Sequence, residues 1–229
     1  MTQQQAVRQR STMPARVADA LARAVRSLYA RHDGALPFHG WHHISFVRDK
    51  AMEFATRNGS DVRFVGAAAL VHDVNYLVRR DSDAADGRSL RTELLLDAGA
   101  TPALAERVDS VVCEAEMSSR DPNISLEAQA LSDADTLFKA LPITPVVLAH
   151  RYLSETGVTL RNLASKIVGD QQRAYDGGFY FYDREAAATY SSWAVANLRL
   201  WQCVLDSLDD PVVGDLVQAI DATLADRAS

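Results

Sequence analysis

The sequence predicts an all-α fold of about ten helices, and three observations carry that expectation. Apolar residues recur at three- and four-residue spacings along most of the chain, and no stretch shows the period-two alternation of a strand. Cap residues and Gly stops separate these periodic stretches at helix-sized intervals. No internal repeat, low-complexity tract or Pro/Gly/Ser linker divides the chain, so residues 14–229 read as a single helical domain behind a polar, mobile tail at 1–13.

The elements follow in order. Val17, Leu21, Val25 and Leu28 line one face of a first helix that should stop at His32-Asp33-Gly34, with the glycine as C-cap. A loop with Pro37 leads to a second helix from Trp41 to Asn58-Gly59, its inner face carrying His43, Val47, Ala51 and Phe54. The third, residues 61–72, is apolar and Ala-rich, with Ser60 or Asp61 as cap. A polar loop precedes a helix at 89–97 closed by Gly99. Thr101-Pro102 opens the next, cap then first-turn proline, and it fades near Met117. Ser125 caps a helix through Phe138, which Pro142 and Pro145 break. Shorter helices are expected at 146–155 and 160–170. The aromatic run at 175–182 has no clear assignment, and long helices at 183–208 and 210–227 complete the chain.

Bulk properties narrow the function. A chain of 229 residues can bury a sizeable core. A net charge of −6 argues against a nucleic-acid-binding surface. Two distant cysteines, Cys113 and Cys203, offer neither a disulfide framework nor a cysteine zinc site. No run of about 18 apolar residues occurs, so no membrane span is expected. Nothing near the N-terminus resembles a signal peptide, and the expected location is the cytoplasm.

The chemistry centres on FVGAAALVHDVNY, residues 64–76, a buried helix ending in His72-Asp73. Adjacent helical side chains diverge by about 100°, so the two converge only on something held between them, and a divalent metal suits an imidazole and a carboxylate. Upstream, four of the six histidines, His32, His39, His42 and His43, crowd into twelve residues. His43, inward on the second helix, can reach the doublet. Downstream, Asp133 and Asp135 sit in an otherwise apolar helix, where carboxylates are costly unless paired or metal-bound. One His, one His-Asp pair and one Asp supply two nitrogens and two oxygens, a set that favours Mn, Fe, Co, Ni or Zn over Ca or Mg.

The order His, His-Asp, Asp on a helical chain resembles the HD-domain superfamily of metal-dependent phosphohydrolases. FHGWHHISFV is similar to the family's opening His-x3-His pair, and distantly to the Tyr-His-Asn-x-x-His of cyclic nucleotide phosphodiesterases. VRFVGAAALVHDV resembles the helix bearing the HD doublet. ISLEAQALSDADTL resembles the LEA…DADRL segment of a bacterial HD branch. Weaker similarity continues through LASKIV and the last long helices. The resemblance spans most of residues 36–205, implying a metal core at 36–140 and a C-terminal helical extension at 141–229.

Carried over by position, the resemblance implies His43, His72, Asp73 and Asp135 as ligands. Asp133 becomes a supporting acid, and with Asp73 a candidate to orient or deprotonate water. His39 matches the histidine that protonates the leaving oxygen; a hydrogen-bonded carboxylate would keep it protonated beside a metal. Lys166 matches a lysine that could hold phosphate. Arg79, Arg80 and Arg88 are further candidates for phosphate charge, the first two in a loop suited to a lid or equally to plain surface charge. There are departures. No histidine lies between His72 and His150, and Glu116 stands where the branch has a histidine. Gly40 and Phe38 replace the phosphodiesterase Asn and Tyr, and Thr136 replaces the DADRL arginine. Glu114 and Glu116 are the acids available to a second metal, but one tightly bound transition metal is expected.

The implied activity is hydrolysis of a phosphoester of a nucleotide or other small phosphorylated metabolite. The alternatives are an HD-fold iron oxygenase cleaving C–C or C–P bonds, and a non-catalytic module stabilised by metal. The aromatic C-terminal half offers a homodimer interface.

Overall fold

Helix ends in the computed structural model follow the capping chemistry. It describes residues 12–228 apart from 33, 81 and 119, with side chains as far as residue 220. Helix α1 (Ala15–Arg31) closes at His32, whose backbone N–H bonds Tyr29 O. It therefore ends two residues before Gly34, the stop the sequence suggested. Of the tail expected at 1–13, residues 1–11 lie outside the described residues. Met13 is fully buried, and its N–H donates to Asp61 Oδ2 at 3.0 Å.

Helix α2 (Trp41–Asn58) ends in left-handed Gly59. Helix α3 (Val62–Val71) is capped by Asp61, which accepts from the N–H groups of Arg63 and Phe64. The polar loop after it contains a short helix, α4 (Asn75–Val78), and a 3₁₀ turn, Ala84–Gly87. Helices α5 (Arg88–Asp97), α6 (Pro102–Ala115) and α7 (Leu126–Ala140) follow, with Thr101 and Ser125 capping the last two. After α7 the chain makes a π-turn (Thr144–Leu148) around Pro145 before α8 (Ala149–Thr156), where the sequence suggested one helix. Helix α9 (Leu160–Asp176) runs six residues longer than expected and absorbs the start of the aromatic run. A turn with left-handed Gly178 leads to Asp183, the N-cap of α10 (Arg184–Ser207), and α11 (Pro211–Ala228) is last. The fold is all-α, with ten helices of eight residues or more and no strand among the described residues.

Helix α3 is the core. Every residue from Phe64 to Val71 is buried, and α1, α2, α6 and α7 all pack against it. Gly66 permits close approach of α2, since a Cβ there would lie 3.0 Å from Met52 Sδ. Helices α9 and α10 pair with each other, and α10 lies on α7, where Asn197 Nδ2 donates to Lys139 O at 2.7 Å. This arrangement leaves a cleft between the C-terminal end of α3, the inner face of α7 and one side of α9. No helix of the described residues is long and apolar enough to cross a membrane.

Candidate metal centre

His72 continues the helical backbone past Val71, and Asp73 follows it out of the core. The His72 Nδ1–H donates to Ala69 O at 2.8 Å, so Nε2 is the nitrogen that faces inward. Across the α2–α3 contact, His43 Nε2 lies 3.2 Å from His72 Nε2. Asp73 Oδ2 is 2.8 Å from His43 Nε2 and 3.1 Å from His72 Nε2. Asp135 arrives from α7, its Oδ1 3.7 Å from His43 Nε2. Donor atoms of His43, His72 and Asp135 all fall within 4.8 Å of one another. The four expected ligands, drawn from three helices, thus converge.

The electrostatics fit a cation. Burial pushes His43 down to about 4, only partly offset by Asp73, so its imidazole is neutral at neutral pH. For His72 burial works the same way, but the charge and hydrogen bond of Asp73 outweigh it and raise the pKa. Burial alone would raise Asp73, yet the charge of His72 and the hydrogen bonds from both imidazoles hold it well below the usual carboxylate range. Asp135 is likewise lowered against burial by the Lys139 ammonium, whose Nζ sits 2.5 Å from its Oδ2. Two buried imidazole nitrogens and two ionised carboxylates gathered at one place suit a borderline transition metal. His43 Nδ1 is buried with no hydrogen-bond partner among the described residues.

The cleft around this cluster has two lobes. Asp73, Asp135, Lys139 and Lys166 border both. One lobe is aromatic and apolar, with Tyr152 and Trp201 in its wall, and His39 opens into it. The other is polar, with Asn75, Ser82 and Glu116. His39 is 4% exposed and stacks on Tyr76 with ring centroids 3.6 Å apart. Its Nδ1 is held by Glu155 Oε1, while Glu155 Oε2 accepts from the N–H groups of Phe38 (2.7 Å) and His39 (3.1 Å). Burial would raise the Glu155 pKa, but the His39 hydrogen bond and charge and these two amides hold it below the ordinary value. The carboxylate partner that His39 needs is therefore present.

Other expected site residues lie elsewhere. Asp133 borders neither lobe. Two positions before Asp135, it points to the opposite side of α7, about 200° away. There it accepts from the N–H groups of Tyr182 and Asp183 at 2.8–3.0 Å, with Arg120 at 3.5 Å. It tethers the start of α10 and is not positioned to orient water. Arg79 pairs with Asp86, and Arg88, largely exposed, with Asp109. Arg80 lines a separate groove beside His32 and Thr156. None of the three arginines borders the cleft, because each follows the doublet on a segment that turns outward toward α5. Of the basic residues expected there, Lys166 alone reaches it. Glu114 accepts from the Ser125 N–H and hydroxyl, a helix-capping role, whereas Glu116 borders the polar lobe and accepts from the Ala84 N–H.

Sequence reasoning missed Lys139, Glu155 and Gln171. Lys139 had a local signal, an (i, i+4) relation to Asp135. Glu155 had none. Beside Thr136 lies the buried Arg120, whose Nη1 donates to Thr136 Oγ1 at 2.6 Å and Nη2 to Phe179 O and Tyr180 O.

No protein-family model matches the chain. Over 148 residues it is 29% identical to the uncharacterized protein YpgQ of Bacillus subtilis (strain 168), a stretch covering 62% of this chain and 67% of YpgQ. Its fold is similar to that of the crystal structure of Bacillus subtilis YpgQ in complex with ADP, with a TM-score of 0.52 and 24% identity over 85% of this chain and 97% of that one. A second crystal structure of YpgQ gives the same TM-score and coverage at 20% identity. The likeness to these structures is one of fold.

Proposed function

We propose that this chain is an HD-type metal-dependent phosphohydrolase that cleaves a phosphoester of a nucleotide or similar small phosphorylated metabolite. The observation that carries this reading is the convergence of His43, His72, Asp73 and Asp135 at the junction of a cleft that also holds two lysines and a carboxylate-paired histidine. The crystal structure of YpgQ with ADP supports a nucleotide as the ligand class.

His43, His72, Asp73 and Asp135 would hold one Mn, Fe, Co, Ni or Zn, which when bound supplies Lewis acidity toward a phosphoryl group and toward water. Lys139 and Lys166, bordering both lobes, face the phosphate charge. Asp73, also common to both lobes, orients the attacking water, whose proton leaves to solvent. Glu155 holds the His39 Nδ1–H, which leaves Nε2–H to donate to the departing oxygen. Because His39 opens into the aromatic lobe, that oxygen is the one attached to the organic part of the substrate. The P–O bond breaks, water supplies the new P–O bond, and the products are a phosphate and an alcohol.

Elemental analysis of untagged protein, with a phosphomonoester and nucleotide panel assayed in that metal, tests the reading. The expected result is about one transition metal ion per chain, lost in His72→Ala together with turnover. Two irons per chain with oxygen uptake, or full turnover by the metal-free variant, would overturn it.

A further inference from the structure

We infer that Gln171, held in one orientation by Tyr180, reads the edge of the substrate's base and selects bases carrying a keto group there. This rests on the proposal that the cleft binds a nucleotide and adds which part of the molecule enters the aromatic lobe and how it is recognised.

The lobe has the shape of a base site. Phe38, Tyr76, Tyr152, Leu163, Ile167 and Trp201 wall it with aromatic and aliphatic surface, which favours a flat apolar ring system. Gln171 is the amide in that wall, and it is 4% exposed. Helix α9 presents two parallel rows to the cleft. Leu163, Ile167 and Gln171, spaced by four, border the apolar lobe alone, while Lys166 and Asp170 border both lobes. Five residues separate Lys166 from Gln171, a rise of about 7.5 Å. That is comparable to the distance between the phosphate of a nucleotide and its base. A phosphate near Lys166 and the metal ligands therefore sets a base beside Gln171.

The amide's orientation is fixed from behind. The Tyr180 hydroxyl donates to Gln171 Oε1 at 2.9 Å, and Tyr180 is itself 4% exposed. Burial raises the pKa of that hydroxyl, so it stays protonated, and its proton goes to Oε1 in this arrangement. With Oε1 engaged, Gln171 Nε2 is left without a hydrogen-bond partner among the described residues. That amine opens to the cleft from an otherwise apolar wall, where it is free to donate to an acceptor on the ligand. Guanine O6 and uracil or thymine O4 are acceptors where adenine N6 and cytosine N4 are donors. A site offering only an N–H₂ group at that edge pairs with the first set and meets the second donor to donor.

Calorimetric binding of GDP, ADP, UDP and CDP to the full metal-loaded chain tests this without requiring turnover. The wild type should prefer GDP to ADP and UDP to CDP by about tenfold or more. In Gln171→Glu the Tyr180 hydroxyl still donates to one carboxylate oxygen while the other accepts, so the preference should invert. In Tyr180→Phe the amide can rotate, and both ratios should fall toward one. Equal ratios in all three proteins, no base preference in the wild type, or no nucleoside diphosphate binding at all would overturn the assignment. Base-dependent binding without hydrolysis of any phosphoester would sustain it while refuting the hydrolase reading.

Discussion

Glu155 grips His39 from 116 residues away, closing one imidazole nitrogen with a carboxylate and leaving the other to the cleft. The same carboxylate collects the backbone N–H groups of Phe38 and His39 on its second oxygen. One buried acid therefore fixes the conformation and ring orientation of the proposed general acid. If the two residues act as a unit, Glu155→Gln and His39→Ala should each lower kcat by about 10²-fold while leaving metal content intact. The double variant should be little worse than either single one. Steady-state kinetics on the three proteins checks this; multiplicative losses would mean that the two residues act independently.

The fold was legible because local chemistry marks many of the helix ends. Asp61, Thr101, Ser125 and Asp183 each accept from backbone N–H groups of the first turn, as their residue types suggest. His43, His72, Asp73 and Asp135 were legible for a different reason: polar groups on otherwise apolar helices need a partner. The same reasoning failed to separate Asp133 from Asp135. Both sit on a mostly buried helix, and only the packing around α7 decides that one meets the histidines and the other the start of α10. The arginines were misjudged because sequence proximity to the doublet carries no direction. Glu155 and Gln171 were invisible because their partners are set by tertiary contact between distant helices.

Lys139 should act in opposite senses on metal and substrate. Its ammonium lies against Asp135 Oδ2, so it competes with a cation for that carboxylate. It also borders both lobes, where phosphate charge collects. Lys139→Met should bind the metal several-fold more tightly and raise KM for a phosphorylated substrate about tenfold. Metal titration and KM measured on the same preparation decide it, and a weakened metal site would show that Lys139 orients Asp135 instead of opposing the ion.

The metal-free protein should lose stability between about pH 6.5 and 4 because of His43. Its folded pKa is lowered to about 4 from 6.5, chiefly by burial, so the unfolded chain takes up a proton in this window and the folded one does not. Stability is therefore fully present above 6.5 and declines as the pH falls. His72, whose folded pKa is raised, contributes the reverse: its share is complete below 6.5 and disappears as the pH climbs through the raised value. The loss attributable to His43 is on the order of 3 kcal/mol. Denaturation of apo wild type and His43→Leu across this range should show the slope in the first and a flatter curve in the second.

Arg91 should matter more to the doublet than any of the arginines first placed near phosphate. It is fully buried, and its guanidinium bonds Asp109 Oδ1 at 3.0 and 2.6 Å, Ala84 O at 2.8 Å and, more weakly, Val71 O at 3.4 Å. Val71 precedes His72, so the contact joins the end of α3 to α5 and to the 3₁₀ turn. Arg91→Met would leave Asp109 with only the exposed Arg88 and strip both carbonyls of a donor. Removing one partner of a buried charged pair costs about 3–5 kcal/mol. Part of that should return in Arg91→Met/Asp109→Leu, which buries no uncompensated charge. Chemical denaturation of the three proteins measures it. Metal affinity should fall in the single variant even under conditions where it remains folded, because the carbonyl-bound guanidinium no longer holds the residue before His72.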